Sequence, residues 1–100
     1  MLFNIELHPE AIMEIEESYQ WYEDRSEGLG VRFLDAVNKR LTEIARQPEL
    51  YPKKKRNYRE VAIENFPFTI IFEALTNEKI ILVSYIFHSK RNPRLKYKER

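Results

Sequence analysis

Two groups of basic residues offer the most evident chemistry in this chain. Lys53, Lys54, Lys55 and Arg56 are consecutive, with Arg59 close behind, and His88, Lys90, Arg91 and Arg94 gather near the C-terminus. Arginine and lysine donate charge-assisted hydrogen bonds to phosphate oxygens and stabilise negative charge that grows on them, and a histidine exchanges a proton near neutral pH. With Tyr58 or Tyr85 to stack a base or assist proton transfer, such a set would suffice for metal-free RNA cleavage by a neighbouring 2′-hydroxyl. A plainer reading stands beside it. A lysine run in a loop is usually a solvated surface, and a histidine at a strand end is more often a structural hydrogen-bonding group.

Other chemistries find less support. Glu10, Glu14 and Glu17 have no histidine at ligand spacing, His8 being the nearest, and the chain has no cysteine, so neither a metal site nor a cofactor is expected. There is no glycine-rich phosphate loop and no Ser/His/Asp set that position supports. Tyr19, Trp21 and Tyr22, at helical spacing, read as core and helix packing.

The net charge of +1 conceals a separation: residues 1–50 carry five basic and eleven acidic side chains, and residues 51–100 carry twelve and five. The halves stand at −6 and +7, enough to steer a polyanion or an acidic partner toward one surface.

These groups must be positioned by a small number of elements. Leu2, Ile5 and Leu7 suit a short opening strand that ends at His8-Pro9, and Pro9 belongs in the first turn of a helix. Ala11, Ile12, Ile15, Tyr19 and Tyr22 then recur at three- and four-residue spacing, with Glu14, Glu16, Glu17 and Glu23 expected to face water. The turn formers of Asp24 to Gly30 include both glycines and should separate this helix from a second, whose stripe is Phe33, Leu34, Val37, Leu41, Ile44 and Ala45, ending at Gln47-Pro48. After a basic loop over Tyr51 to Asn57, strands are predicted over 58–63, 68–75 and 79–88, forming an antiparallel meander.

Side-chain alternation gives each strand two faces. Phe68, Ile70 and Phe72 oppose Ile71, and Ile80, Leu82 and Ile86 oppose Ile81, Val83, Tyr85 and Phe87. Both faces are apolar at the centre, while the helices supply a single covering layer, so one face is expected to await a partner. The two basic groups are expected to meet at neighbouring strand ends.

One hundred residues, 43 % of them hydrophobic and 33 % charged, describe one globular domain over residues 1–100. No apolar run approaches the roughly 20 residues that span a bilayer, and the first residues lack the pattern of a secretory signal. A cytoplasmic setting with no membrane association is the expectation.

Four segments in order carry a family resemblance: Gly28-Leu29-Gly30-Val31-Arg32-Phe33-Leu34-Asp35, Gln47-Pro48-Glu49-Leu50-Tyr51-Pro52, Phe66-Pro67-Phe68-Thr69-Ile70, and His88-Ser89-Lys90-Arg91-Asn92-Pro93. Across essentially the whole chain the sequence resembles the ParE/RelE superfamily of type II toxins, the ParE-like plasmid stabilisation toxins in particular. The resemblance implies an α+β fold, a two-helix hairpin packed on one face of a four-stranded antiparallel sheet in the order β-α-α-β-β-β, with the opening strand beside the last. It also implies a cognate antitoxin, bound in a hetero-oligomer, for which Val83, Tyr85 and Phe87 would offer the uncovered face.

ParE-type members arrest growth by poisoning DNA gyrase, whereas RelE-type members cut mRNA on the ribosome with lysine, arginine and tyrosine or histidine side chains. The two long helices favour the first. For it, Arg59, Lys90 and Arg91, with Lys53, Lys54, Lys55 and Arg56, are the expected target-binding residues. In the alternative, His88 and Tyr85 would be catalytic; a third reading is a degenerate, non-toxic binding module. Two departures from the family are His8, where a serine or threonine often caps the first helix, and the unusually basic Lys53 to Arg56.

Overall fold

A computed structural model describes residues 2–90 of the chain; Arg91 and Arg94, singled out above, lie outside the described residues. Strand β1 (Asn4–Leu7) leads through His8 into helix α1 (Pro9–Arg25), which is followed by α2 (Leu29–Arg46) and a short 3-10 turn over Pro48–Leu50. Strands β2 (Lys53–Lys55), β3 (Tyr58–Ala62), β4 (Phe68–Leu75) and β5 (Ile80–His88) complete the order. His8 starts α1 without the usual hydroxyl: its Nδ1 accepts the Glu10 backbone N–H at 3.2 Å. An imidazole nitrogen thus takes the part of a serine or threonine cap.

The sheet runs β1-β5-β4-β3-β2. It departs from the expected four antiparallel strands in two ways. β1 pairs with β5 in parallel, Asn4 opposite Ile80 and Leu7 opposite Val83. The additional strand is β2, which pairs antiparallel with β3, Lys53 facing Arg59, across a register irregularity. The alternation rule could not find it, because its three residues are all exposed lysines and no apolar side marks them. A short, lysine-bearing edge strand also discourages further strands from pairing there.

Both helices lie on one face of the sheet. Ala11, Phe33, Val37, Leu41 and Ile44 bury themselves against Ile63, Phe68, Ile70, Phe72, Ile81, Val83 and Ile86. Helical spacing gave the α2 stripe correctly, but Ile12 of α1 faces outward. Aromatic rings cluster where the helices meet the start of β4. Tyr22 lies 5.4 Å from Phe33 and 5.0 Å from Phe66, and Phe33 lies 5.3 Å from Phe68. Burial raises the Tyr22 phenol above its usual range, since the anion would lose hydration there.

The helix hairpin closes through a residue expected on the surface. Glu23 turns back so that its carboxylate accepts the Gly28 N–H at 2.9 Å and the Gly30 N–H at 2.8 Å. Two otherwise unpaired donors at the α2 N-terminus are thereby satisfied by a negative charge, where the helix dipole favours one. Gly28 sits at φ +86, in the left-handed region, and a Cβ on Gly30 would come 2.7 Å from the Tyr19 carbonyl oxygen. The first glycine makes the turn and the second lets the helices touch.

In β5 the expected alternation fails at one residue. Phe72 pairs with Val83 but Ile71 pairs with Tyr85, so Ser84 is extra and forms a β-bulge. Ile81 and Val83 face the helices, and beyond the bulge Ile86 joins them while Tyr85 and Phe87 point to the opposite face. Ile86 was expected on the other side from Ile81 and Val83; the inserted residue reverses the phase.

Candidate functional site

Among the described residues the basic groups do not converge. β3 and β5 run in the same direction, flanking the antiparallel β4, so the start of β3 and the end of β5 lie at opposite ends of the sheet. Arg59 stands opposite Phe72, whereas His88 stands opposite Phe68, four residues along β4. Two strand spacings and four residue steps separate them by on the order of 16 Å. Lys53, Lys54, Lys55 and Arg56 form an exposed hairpin at the far edge, and Lys90 is exposed beyond the end of β5.

Arg59 is committed to the fold. Its Nη1 donates to the Tyr51 carbonyl, and its Nε is buried with no hydrogen-bond partner among the described residues. This guanidinium therefore pins the loop after α2 to β3 and presents little of itself to a target. His88 packs edge-on against Phe68 at 4.9 Å, and its Nδ1 accepts the Lys90 N–H at 3.0 Å. Tyr85 projects from the other face of the sheet, beside Ile71, Phe87 and Tyr58. His88 and Tyr85 thus cannot attend one scissile bond together, and the proton-transfer set imagined from the sequence is not assembled.

The second sheet face is closed within the chain. Ile71, Tyr85 and Phe87 are 0 %, 4 % and 2 % exposed, and Tyr58 packs against them. The Tyr58 phenol is raised above its usual range by burial first and by the charges of Glu73 and Tyr85, against the opposing pull of Arg56 and of a hydrogen bond with Ser84. Val83, grouped with Tyr85 and Phe87 as partner-binding, is wholly buried on the helix side. The apolar face inferred from alternation is real as a cluster, but as folded it offers a partner almost no surface.

The open apolar surface is elsewhere. β1 stops at Leu7, and beyond it α1 runs beside the outer half of β5, where the Glu14 carboxylate accepts the Ile86 N–H at 3.0 Å. Further along, Glu17, Ser18, Trp21 and Tyr22 of α1 face Pro67, Phe68, His88 and Lys90 across a cleft of about 710 Å³. Trp21, expected in the core, is 51 % exposed here. Its ring meets Tyr22 edge-on at 5.1 Å and carries the Arg25 guanidinium at 3.8 Å. Sequence periodicity missed it because Trp21 falls next to the buried stripe, on the outer side of Tyr22. Among the described residues no group of His, Cys, Asp and Glu could hold a metal ion, and no helix is long and apolar enough to cross a membrane.

Comparison with known proteins accords with this architecture. The profile of the family described as "ParE toxin of type II toxin-antitoxin system, parDE" matches residues 5–93. Among solved structures, one described as the chromosomal ParDE TA system from P. aeruginosa superposes with a TM-score of 0.75 at 13 % identity, covering 89 % of this chain and 98 % of that one. A free double-arginine variant of the E. coli toxin RelE gives 0.68 at 13 % identity, covering 90 % and 86 %. The same variant in complex with an antitoxin RelBc peptide gives 0.63 at 13 % identity, covering 100 % and 98 %. At such identities the structural likeness establishes the fold. No curated protein sequence matches the chain.

Proposed function

We propose that this chain, which belongs to the ParE toxin family of type II toxin-antitoxin systems, is held inactive by a cognate antitoxin and, when free, acts on DNA gyrase. The observation that carries the choice of target is the dispersal of the ionisable side chains. Ribonucleolytic chemistry without a metal needs a base, an acid and cationic stabilisation around one phosphate. Here Arg59 is bound to Tyr51, His88 is on the helix face and Tyr85 is on the other. A gyrase inhibitor needs only a complementary surface, and the exposed hairpin of Lys53, Lys54, Lys55 and Arg56, with Lys90, is suited to an acidic or polyanionic target. Arg91 belongs to this proposed set by sequence alone.

The test is supercoiling by purified gyrase in the presence of the purified protein. Supercoiling should fall as protein is added, and should recover when the product of the reading frame adjoining this gene is added as well. Unchanged supercoiling, together with mRNA cuts on translating ribosomes, would replace gyrase with mRNA as the target. Neither activity would leave a binding module.

A further inference from the structure

We propose that the cleft between α1 and the end of β5, with the outward rows of α1 beside it, is the docking surface for a basic amphipathic segment of the antitoxin, anchored on Trp21. This rests on the toxin-antitoxin reading above and adds to it the place and the chemistry of the contact. Three observations carry it.

First, α1 spends large apolar side chains on solvent. Met13 and Trp21 are 57 % and 51 % exposed, and both lie on the row that continues through Glu17 to Arg25, each step one helical turn. The neighbouring row runs Ile12, Glu16, Gln20 and Asp24, with Ile12 41 % exposed. A helix of 17 residues offers a strip about 25 Å long, the right scale for a partner helix or strand. Second, the cleft beside this strip is lined by Trp21, Tyr22, Pro67 and Phe68 together with Glu17, Ser18, His88 and Lys90, an apolar wall with polar groups to orient a ligand. A half-exposed tryptophan stacked under an arginine is the kind of preformed anchor on which interface energy concentrates.

Third, the charge of the strip selects its partner. Glu16 and Glu17 are exposed, make no ion pair among the described residues and flank the apolar side chains. Asp24 continues the same outward row, bonded at 2.8 Å to Gln20. A segment with apolar residues toward Trp21 and Met13, and lysine or arginine toward Glu16 and Glu17, satisfies both features. Acidic residues on it would be opposed along that row and accommodated only beside Arg25 and Lys90 at the end of the strip. The basic hairpin at Lys53–Arg56 is at the opposite edge of the sheet, away from this surface.

The experiment measures binding of the protein encoded by the adjoining reading frame to the wild-type chain and to variants. Trp21→Ala should weaken binding by about thirty-fold or more. A double replacement of Glu16 and Glu17 by lysine should weaken it by about ten-fold and slow association, the effect shrinking as salt is raised. Met13→Asp, at an exposed site that burdens folding little, should weaken binding in the same way and stands in should Trp21→Ala fail to fold. Asn77→Ala, in the β4-β5 turn, should bind as the wild type does. If Trp21→Ala and Met13→Asp, folded by circular dichroism, bind within three-fold of wild type, the docking surface is elsewhere and the toxin-antitoxin reading stands. If the wild-type chain itself does not bind, the reading beneath the proposal fails and the proposal with it.

Discussion

Replacing Glu23 with alanine should destabilise the fold far more than a glutamate in a helix of acidic surface residues suggests. Its carboxylate holds the Gly28 and Gly30 N–H groups at 2.9 and 2.8 Å, at the start of a helix of 18 residues. Hydrogen bonds to a charged group contribute about 1.5–3 kcal/mol each. Half-burial allows water to replace part of that, so we expect a loss of about 2–3 kcal/mol for Glu23→Ala. Glu23→Gln retains one acceptor oxygen and loses the charge, and should cost about 1 kcal/mol. In a domain of this size each kcal/mol moves the midpoint by roughly 4–8 °C, so the alanine variant should melt on the order of 10–20 °C lower. Urea unfolding gives the free energies directly, with the exposed Glu27 of the same turn as the control, expected within about 0.5 kcal/mol of wild type. Equal stability of Glu23→Ala and Glu27→Ala would refute the clamp and return Glu23 to the solvated face.

Three further outcomes follow from the same geometry. Gly30→Ala forces a methyl against the Tyr19 carbonyl, so it should cost about 1–3 kcal/mol by chemical denaturation even though alanine favours helices; a stabilised variant would show that the helices separate freely. Arg59→Ala should lower stability by about 1–2 kcal/mol through loss of the Tyr51 bond, while inhibition of gyrase by the folded variant is unchanged; lost inhibition with intact stability would restore Arg59 to the target surface. The Tyr22 and Tyr58 phenols have folded values raised above 10.0, so their contribution is fully present below about pH 10 and is lost as pH rises through the folded values. The melting temperature should therefore fall on the alkaline side of pH 10, and Tyr58→Phe should show a shallower fall; identical profiles would discount the burial of that phenol.

The two helices and four of the strands, β1, β3, β4 and β5, were legible from periodicity, most clearly where one regular stripe is buried. Phe33, Val37, Leu41 and Ile44 recur at helical spacing and are all core, and Phe68, Ile70 and Phe72 share the face that alternation assigned them. What was not legible has physical causes of a different kind. β2 carries no apolar residue, so it is a strand by hydrogen bonding alone. The phase change at Ser84 has no composition of its own. Glu23 looks like any exposed glutamate until the chain folds back to bring Gly28 and Gly30 beneath it.

The candidate site was the least legible, because it depends on which ends of strands coincide. Sequence order places the basic groups on the first and third strands of a meander, and those strands are parallel, so the entrance of one and the exit of the other are far apart. Trp21 was read as core from its neighbours Tyr19 and Tyr22, yet a helix turns 100° per residue and carries it past the buried edge. The resemblance supplied what alternation could not, the placement of the opening strand beside the last.

The extra residue in β5 separates two properties that usually change together. Because Ser84 is an insertion, removing it restores plain alternation with Val83 and Ile86 still inward and Tyr85 and Phe87 still outward, at the cost of the buried Ser84 and its bond to Tyr58. The strand would straighten instead, re-aiming His88 and the wall it forms opposite Trp21. Length at this one position of β5 therefore sets the shape of the cleft beside α1, while the side chains on the helix-facing side keep their places.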